Sequence, residues 1–168
     1  MAIDTTRDLF IYELGILGEM ESSGLMMFNF LAHRVTADDL RQIVETEHRE
    51  CKRREQNINS CAEAIGTSLL ATRSSAVEGI YGRFEGFVRL DPSPNMLDQF
   101  AVDTMIRFLH ITVAAHKTLV DWAIIMGENQ CVQCLHTNLV EKQESLAKLE
   151  RYGHELGTKL LAPAARRA

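Results

Sequence analysis

The chain has 168 residues, 46% hydrophobic and 24% charged, a composition that suits one globular domain with a substantial core. Eighteen basic against 23 acidic side chains leave a formal charge of -5, which argues against a dedicated nucleic-acid surface. No stretch approaches about 20 uncharged apolar residues, so no membrane span is expected; the opening Met1–Asp8 lacks a basic run followed by an apolar one, so no secretory leader is expected and the cytoplasm is the default location.

Thr5 or Thr6 can cap a first helix, with Asp8 in its first turn favoured by the helix dipole. Phe10, Leu14, Leu17, Glu21, Gly24, Phe28 and Leu31 then recur at spacings of four and three, which places them on one face. Glu21 is a carboxylate in the middle of that apolar stripe. It must be paired, bound to a cation, or reach out to solvent.

A short connection at His33–Val35 implies an antiparallel second helix over Asp38–Ile65, started by Thr36 with Asp38 and Asp39. This run contains Glu45-Thr46-Glu47-His48, a literal Glu-x-x-His, the spacing that turns a carboxylate and an imidazole toward a metal in ferritin-like bundles. At about 100° per residue, however, Leu40, Val44, Glu47, Cys51, Ile58, Cys61 and Ile65 share the inner face. Glu45 falls on the far side and His48 at the edge of the stripe. The inward acid is therefore Glu47. Cys51 and Cys61 are expected to pack as small hydrophobes, and the charge run Glu47–Glu55 is expected to be largely a solvated face with i,i+4 pairs.

Gly66-Thr67-Ser68 ends the second helix, and Ser74–Val88 reads as a shorter helix before the break at Asp91-Pro92-Ser93-Pro94-Asn95. A third long helix is expected over Met96–Met126, stopped by Gly127. Its inner stripe is Val102, Met105, Ile106, Leu109, Val113, His116, Val120 and Ala123, and its outer side carries Phe100, Ile111, Trp122 and Ile125. A helix apolar all round is covered on both sides, here by the Ser74–Val88 segment or by a second subunit. His116 has no acid at i±3 or i±4 and is expected to be a hydrogen-bonded core histidine. A fourth helix, Asn129–Leu161, lines up Val132, Leu135, Leu139, Lys142, Leu146, Leu149, Gly153 and Leu160, with Glu141 and Glu144 projecting away. Residues 1–161 thus form the bundle, and 162–168 read as a flexible basic tail.

The chain resembles the bacterial stress-associated ferritin-like family typified by YciE and YciF, over about Thr6–Leu156. The supporting residues are Asp8-Leu9-Phe10-x-x-Glu13-Leu14 with Glu21, Glu45-Thr46, Ala76-Val77-Glu78-Gly79-Ile80, Ala114-Ala115 with Thr118-Leu119, and Asn138-Leu139. The resemblance implies an all-α, ferritin-like antiparallel four-helix bundle with a short extra helix in the long crossover. It also implies a dimer, a link to stress responses and a carboxylate-rich di-metal centre. Carried over residue by residue, the family's ligands survive only in part. Glu21 matches. The family's Glu-x-x-His falls on Val44 and Glu47, its third-helix acid on Leu109 or Thr112, and its fourth-helix acids on Lys142 and Leu146. Shifting the last helix by one residue would restore Glu141 but turn Leu139 and Leu146 away from the core.

The favoured reading is a non-enzymatic bundle with a degenerate metal site, no cofactor, and the Lys142 ammonium paired with Glu21, Glu47 or both where metals would stand. A homodimer through the outer face of the third helix is expected. The competing reading is an iron- or manganese-binding, oxidase-type protein using Glu21, Glu47, His48 and Glu141. A third builds a redox or weak zinc site from Cys131 and Cys134, whose i,i+3 spacing lets two sulfurs meet on a helix.

Overall fold

A computed structural model describes residues 3–69 and 72–161; the expected basic tail, 162–168, lies outside them. Five helices follow in order: α1 (Thr6–Ala32), α2 (Asp38–Ala64), α3 (Ser75–Val88), α4 (Pro94–Met126) and α5 (Asn129–Leu161). They form the expected ferritin-like bundle. The hairpins α1–α2 and α4–α5 pack side by side, and α3 lies in the crossover against α1 and α4.

Local chemistry sets the helix ends. Thr5 is the N-cap of α1, its hydroxyl accepting from the Asp8 N–H while the Asp8 carboxylate accepts from the Thr5 N–H, a reciprocal capping box. Gly66 and Gly127 follow α2 and α4 in the left-handed conformation (φ 69° and 74°) that a glycine adopts without a Cβ clash. Pro94 occupies the first turn of α4, where its missing N–H costs nothing.

The start of α2 works differently from the sequence expectation. Its N-cap, Ala37, has no side chain to offer. Asp98 of α4 supplies the cap across the bundle, accepting from Thr36 N–H at 2.7 Å, Thr36 Oγ1–H at 2.7 Å and Ala37 N–H at 3.0 Å. Tyr152 Oη donates to Asp39 at 2.9 Å and ties the end of α5 to the same corner. At the opposite end Arg7 donates to Ile65 O at 2.6 Å and to Glu128 at 3.1 Å, holding the start of α1 to the end of α2 and to the α4–α5 turn.

The core is two apolar clusters stacked along the bundle axis. One contains Met27, Phe28, Leu40, Val44, Met105, Phe108 and Leu149; the other contains Phe10, Leu14, Leu17, Ile58, Leu119, Val120 and Leu135. Helix α4 is the one described helix long and apolar enough, by length and composition, to cross a membrane, although no such stretch was expected. In the bundle its Asp98, Thr104, Thr112 and His116 are all buried by neighbouring elements or its own backbone. Helix α3 covers the first part of its outer side: Phe87 stacks on Phe100 with centroids 4.0 Å apart, and Phe84 lies beyond it. Further along, Ile111 and Trp122 are half-buried while Ile124 and Ile125 are exposed.

Removing the Asp98 carboxylate leaves the part-buried Thr36 and Ala37 amides, just ahead of α2, without their acceptor. Asp98→Ala is expected to lower unfolding free energy by about 1–3 kcal/mol, read as a lower urea midpoint at unchanged m-value.

Candidate functional site: a buried ionic centre

Between the two apolar clusters lies a layer of charge. Glu21 and Lys142 are both 0% exposed, as is Arg54, and Glu47 is 4% exposed. Each reaches the centre by helical arithmetic. Glu47, Cys51 and Arg54 stand at i, i+4 and i+7 on α2, and Asn138 and Lys142 at i and i+4 on α5, so each set lies on one face.

Glu21 is the hub. The Lys142 ammonium Nζ lies 2.8 Å from its Oε1, and Arg54 Nε lies 3.5 Å from its Oε2. Arg54 then donates through Nη2 to Glu47 Oε2 at 2.9 Å. One lysine and one arginine therefore face two carboxylates, and the formal charge of the layer is zero. Lys142 Nζ also lies 5.0 Å from the centroid of the Phe108 ring. Phe108 reaches this position because Gly24 of α1 leaves room for it; a Cβ there would lie 2.6 Å from Phe108 Cζ.

Burial pushes the Glu21 carboxyl up, but Lys142 and Arg54 more than reverse that, and it titrates below the ordinary range. Burial opposes the charge on Arg54 as well, yet Glu21, Cys51 and Glu47 hold the guanidinium charged. His116 is a core histidine, as expected. Its ring Nδ1 donates to Thr112 O at 2.8 Å, and burial together with the nearby cations lowers its pKa to about 4 despite the Glu21 charge. It is neutral near pH 7. Arg54 Nη1 and His116 Nε2 have no protein hydrogen-bond partner among the described residues, so the layer is costly compared with an apolar one.

Arg54 is the residue the sequence reading missed. The charge run Glu47–Glu55 reads as largely a solvated face, yet Arg54 fills the remaining place in the four-three stripe Leu40, Val44, Glu47, Cys51, Ile58, Cys61. Its neighbour Arg53 does lie outside, paired with Glu50 and donating to Glu141 Oε1 at 2.7 Å. That exposed pair takes Glu141 out of any central site. Glu45 is exposed, and the half-buried His48 lies beside it in a surface pocket with His33 and Arg49. The four residues of the competing metal set, Glu21, Glu47, His48 and Glu141, thus do not converge, because 100° of helix rotation separates each outer residue from its inner neighbour.

The donor set does not fit a di-metal centre. Such a site needs several free carboxylate and imidazole ligands. Both central carboxylates here are engaged by nitrogen cations, and neither ammonium nor guanidinium has a lone pair to give.

The cysteines also depart from expectation. Cys131 is not paired with Cys134. It faces the last turns of α2 and forms a disulfide with Cys61, across a Cα–Cα distance of 4.7 Å. Cys61 is thus a covalent partner rather than a packed thiol. The reason is rotational: Cys131 lies on the buried side of α5, whereas Cys134, one turn on, is half-buried and free. Cys51 packs in the core as a free thiol, raised by burial.

A family model described as a domain of unknown function (DUF892) matches residues 5–162. No curated protein matches in sequence. Among solved structures the chain is similar to YcfI from Rhodopseudomonas palustris, described as a candidate structural protein, with a TM-score of 0.85 at 22% identity over 88% of this chain and 94% of that one. It is similar to the E. coli stress protein YciF, with a TM-score of 0.89 at 18% identity over 94% and 99%. A protein from Xanthomonas campestris pv. campestris gives 0.74 at 17% identity over 94% and 96%.

Two outcomes follow from the charge layer. Lys142→Met should cost about 3 kcal/mol or more by leaving Glu21 under-compensated, and adding Glu21→Gln should recover most of that loss, as measured by a double-mutant cycle in urea. Because His116 takes up its proton at about 4 in the folded protein and near 6.5 when unfolded, the unfolded chain binds more protons between these values. Stability should therefore fall as pH drops from about 6.5 to about 4, by roughly 3 kcal/mol in total. His116→Gln should remove that slope.

Proposed function

Because the chain belongs to the DUF892 family, in keeping with its resemblance to YciE and YciF, we propose that it is a non-enzymatic ferritin-like bundle protein with a structural or interaction role in the stress response. In this reading the metal pair of a ferritin-like bundle is replaced by two protein cations. Lys142 and Arg54 supply the positive charge that Glu21 and Glu47 would otherwise draw from metal ions. The single observation that carries it is Glu21 held between Lys142 Nζ at 2.8 Å and Arg54 Nε at 3.5 Å, with all three side chains out of solvent.

Electrostatics supports the exchange. A divalent cation entering here would be repelled by two fixed charges and would have to displace both from their carboxylates, without the lone pairs a metal-binding bundle provides. The structural or stress role is borrowed from how YcfI and YciF are described and from the family resemblance. A homodimer through the outer face of α4 belongs to the same reading. The exposed side chains of Ile124 and Ile125 favour it, although Phe100 is taken up by α3 and is not part of that face.

The protein purified from medium rich in iron and manganese is expected to hold less than one metal ion per ten chains by elemental analysis. It should also show no oxygen-dependent absorbance when ferrous iron is added. Two tightly held ions per chain would overturn the proposal.

A further inference from the structure

Three cysteines gather where α2 ends and α5 begins, away from the ionic centre. Cys61 and Cys131 are 0% exposed and face each other across the two hairpins. Cys134 lies one helical turn beyond Cys131, half-buried and unpaired, at the spacing that brings two side chains of one helix together. Cys51 is ten residues from Cys61, about 15 Å along α2, and is too far to take part.

The buried pair suits two states. Oxidised, it joins α2 to α5 at a Cα separation within the normal range for a disulfide. Reduced, the Cys131 thiol has an acceptor already in place, the Cys61 carbonyl oxygen 3.4 Å from its sulfur. Both sulfurs are nonetheless closed to solvent, so an oxidant must be met elsewhere and its oxidising equivalent passed inward. Cys134 is the thiol placed to do so.

We propose that Cys134 is an oxidant-accepting modification site that relays oxidation to a Cys61–Cys131 disulfide, with a peroxide as the oxidant. The Cys134 sulfur attacks one peroxide oxygen, the O–O bond breaks, and a sulfenic acid and water result. The Cys131 sulfur then attacks the Cys134 sulfur; an S–S bond forms, the S–O bond breaks, and hydroxide leaves as water with the Cys131 proton. Cys131 stands in the first turn of α5, where the helix N–H groups favour the attacking thiolate. Finally the Cys61 thiolate attacks the Cys131 sulfur, and Cys134 leaves and takes up the proton that Cys61 gave up. The net change is two thiols and one peroxide to one disulfide and two waters, with Cys134 restored. Burial raises the Cys134 thiol, which makes the first step a slow stoichiometric modification and not peroxidase turnover.

The test uses the full-length protein, reduced and then exposed to hydrogen peroxide. Samples are alkylated at intervals and their disulfides mapped by mass spectrometry. The wild type should accumulate Cys61–Cys131. Cys134→Ser and Cys134→Ala, each checked for native helical content, should slow that linkage at least fivefold, and Cys61→Ser should trap Cys131–Cys134. A slowing of less than fivefold in whichever Cys134 variant folds, or no Cys131–Cys134 linkage in folded Cys61→Ser, overturns the relay.

Discussion

The contact on which the rest depends is the grip of Lys142 and Arg54 on Glu21. An ionised carboxylate moved alone into a protein interior costs several kcal/mol. Here it stands at full burial in the middle of α1, with one cation arriving from α2 and another from α5. Neither cation is free to retreat, because each would be left buried beside apolar neighbours. Three helices are thereby committed to one arrangement at mid-height, and the apolar clusters above and below pack onto it. The arrangement contributes little net stability compared with a hydrocarbon layer, but breaking any one member is costly. The two cations are not equivalent. Lys142 presents a point charge to one oxygen and to the face of Phe108, while the planar guanidinium of Arg54 reaches two acids at once.

Away from this layer the bundle is closed by polar clips that cross between hairpins. Asp98 reaches from α4 to cap α2, and Arg7 reaches from α1 to the last carbonyl beyond α2 and to Glu128. Asn138 of α5 donates to Arg54 O and accepts from Asn57, which fixes the backbone that presents the arginine. The ionic centre is thus supported by hydrogen bonds from the helix it faces, and the crossover helix α3 is left to cover the aromatic shoulder of α4.

The helices were legible because each carries a long four-three stripe and a turn signal at its end, so α1, α2, α4 and α5 lie within a few residues of their expected bounds. The inward acids Glu21 and Glu47 were legible for the same reason, as was Lys142. Arg54 was not, although periodicity alone places it inside; its position within a run of seven charged or polar neighbours made a solvated reading more natural. The stripe was the better guide, since a rotation angle is fixed by the backbone while composition only averages over faces. Asp98 and the Cys61–Cys131 pair were hidden for another reason. Both join residues more than 60 positions apart, and nothing in a single stripe says which positions on two helices share a height.

The pairing of neighbours in sequence explains why the centre has only one workable rotation. On α2, Arg53 lies outside and Arg54 inside; on α5, Glu141 lies outside and Lys142 inside. The outer pair is salt-bridged at the surface and the inner pair closes on Glu21 and Glu47. Turning α5 by one residue would bring Glu141 toward two buried acids and expel the lysine, and would also break the outer bridge. Turning α2 by one residue would carry Glu47 and Arg54 out of the centre together, putting Thr46 and Arg53, or His48 and Glu55, in their places. On α5, charges of opposite sign at adjacent positions thus penalise a wrong rotation twice, once in the core and once at the surface, whereas the leucines of the stripe would tolerate small slips. The ionic layer acts through geometry more than through net binding energy: it sets which face of each helix is inside.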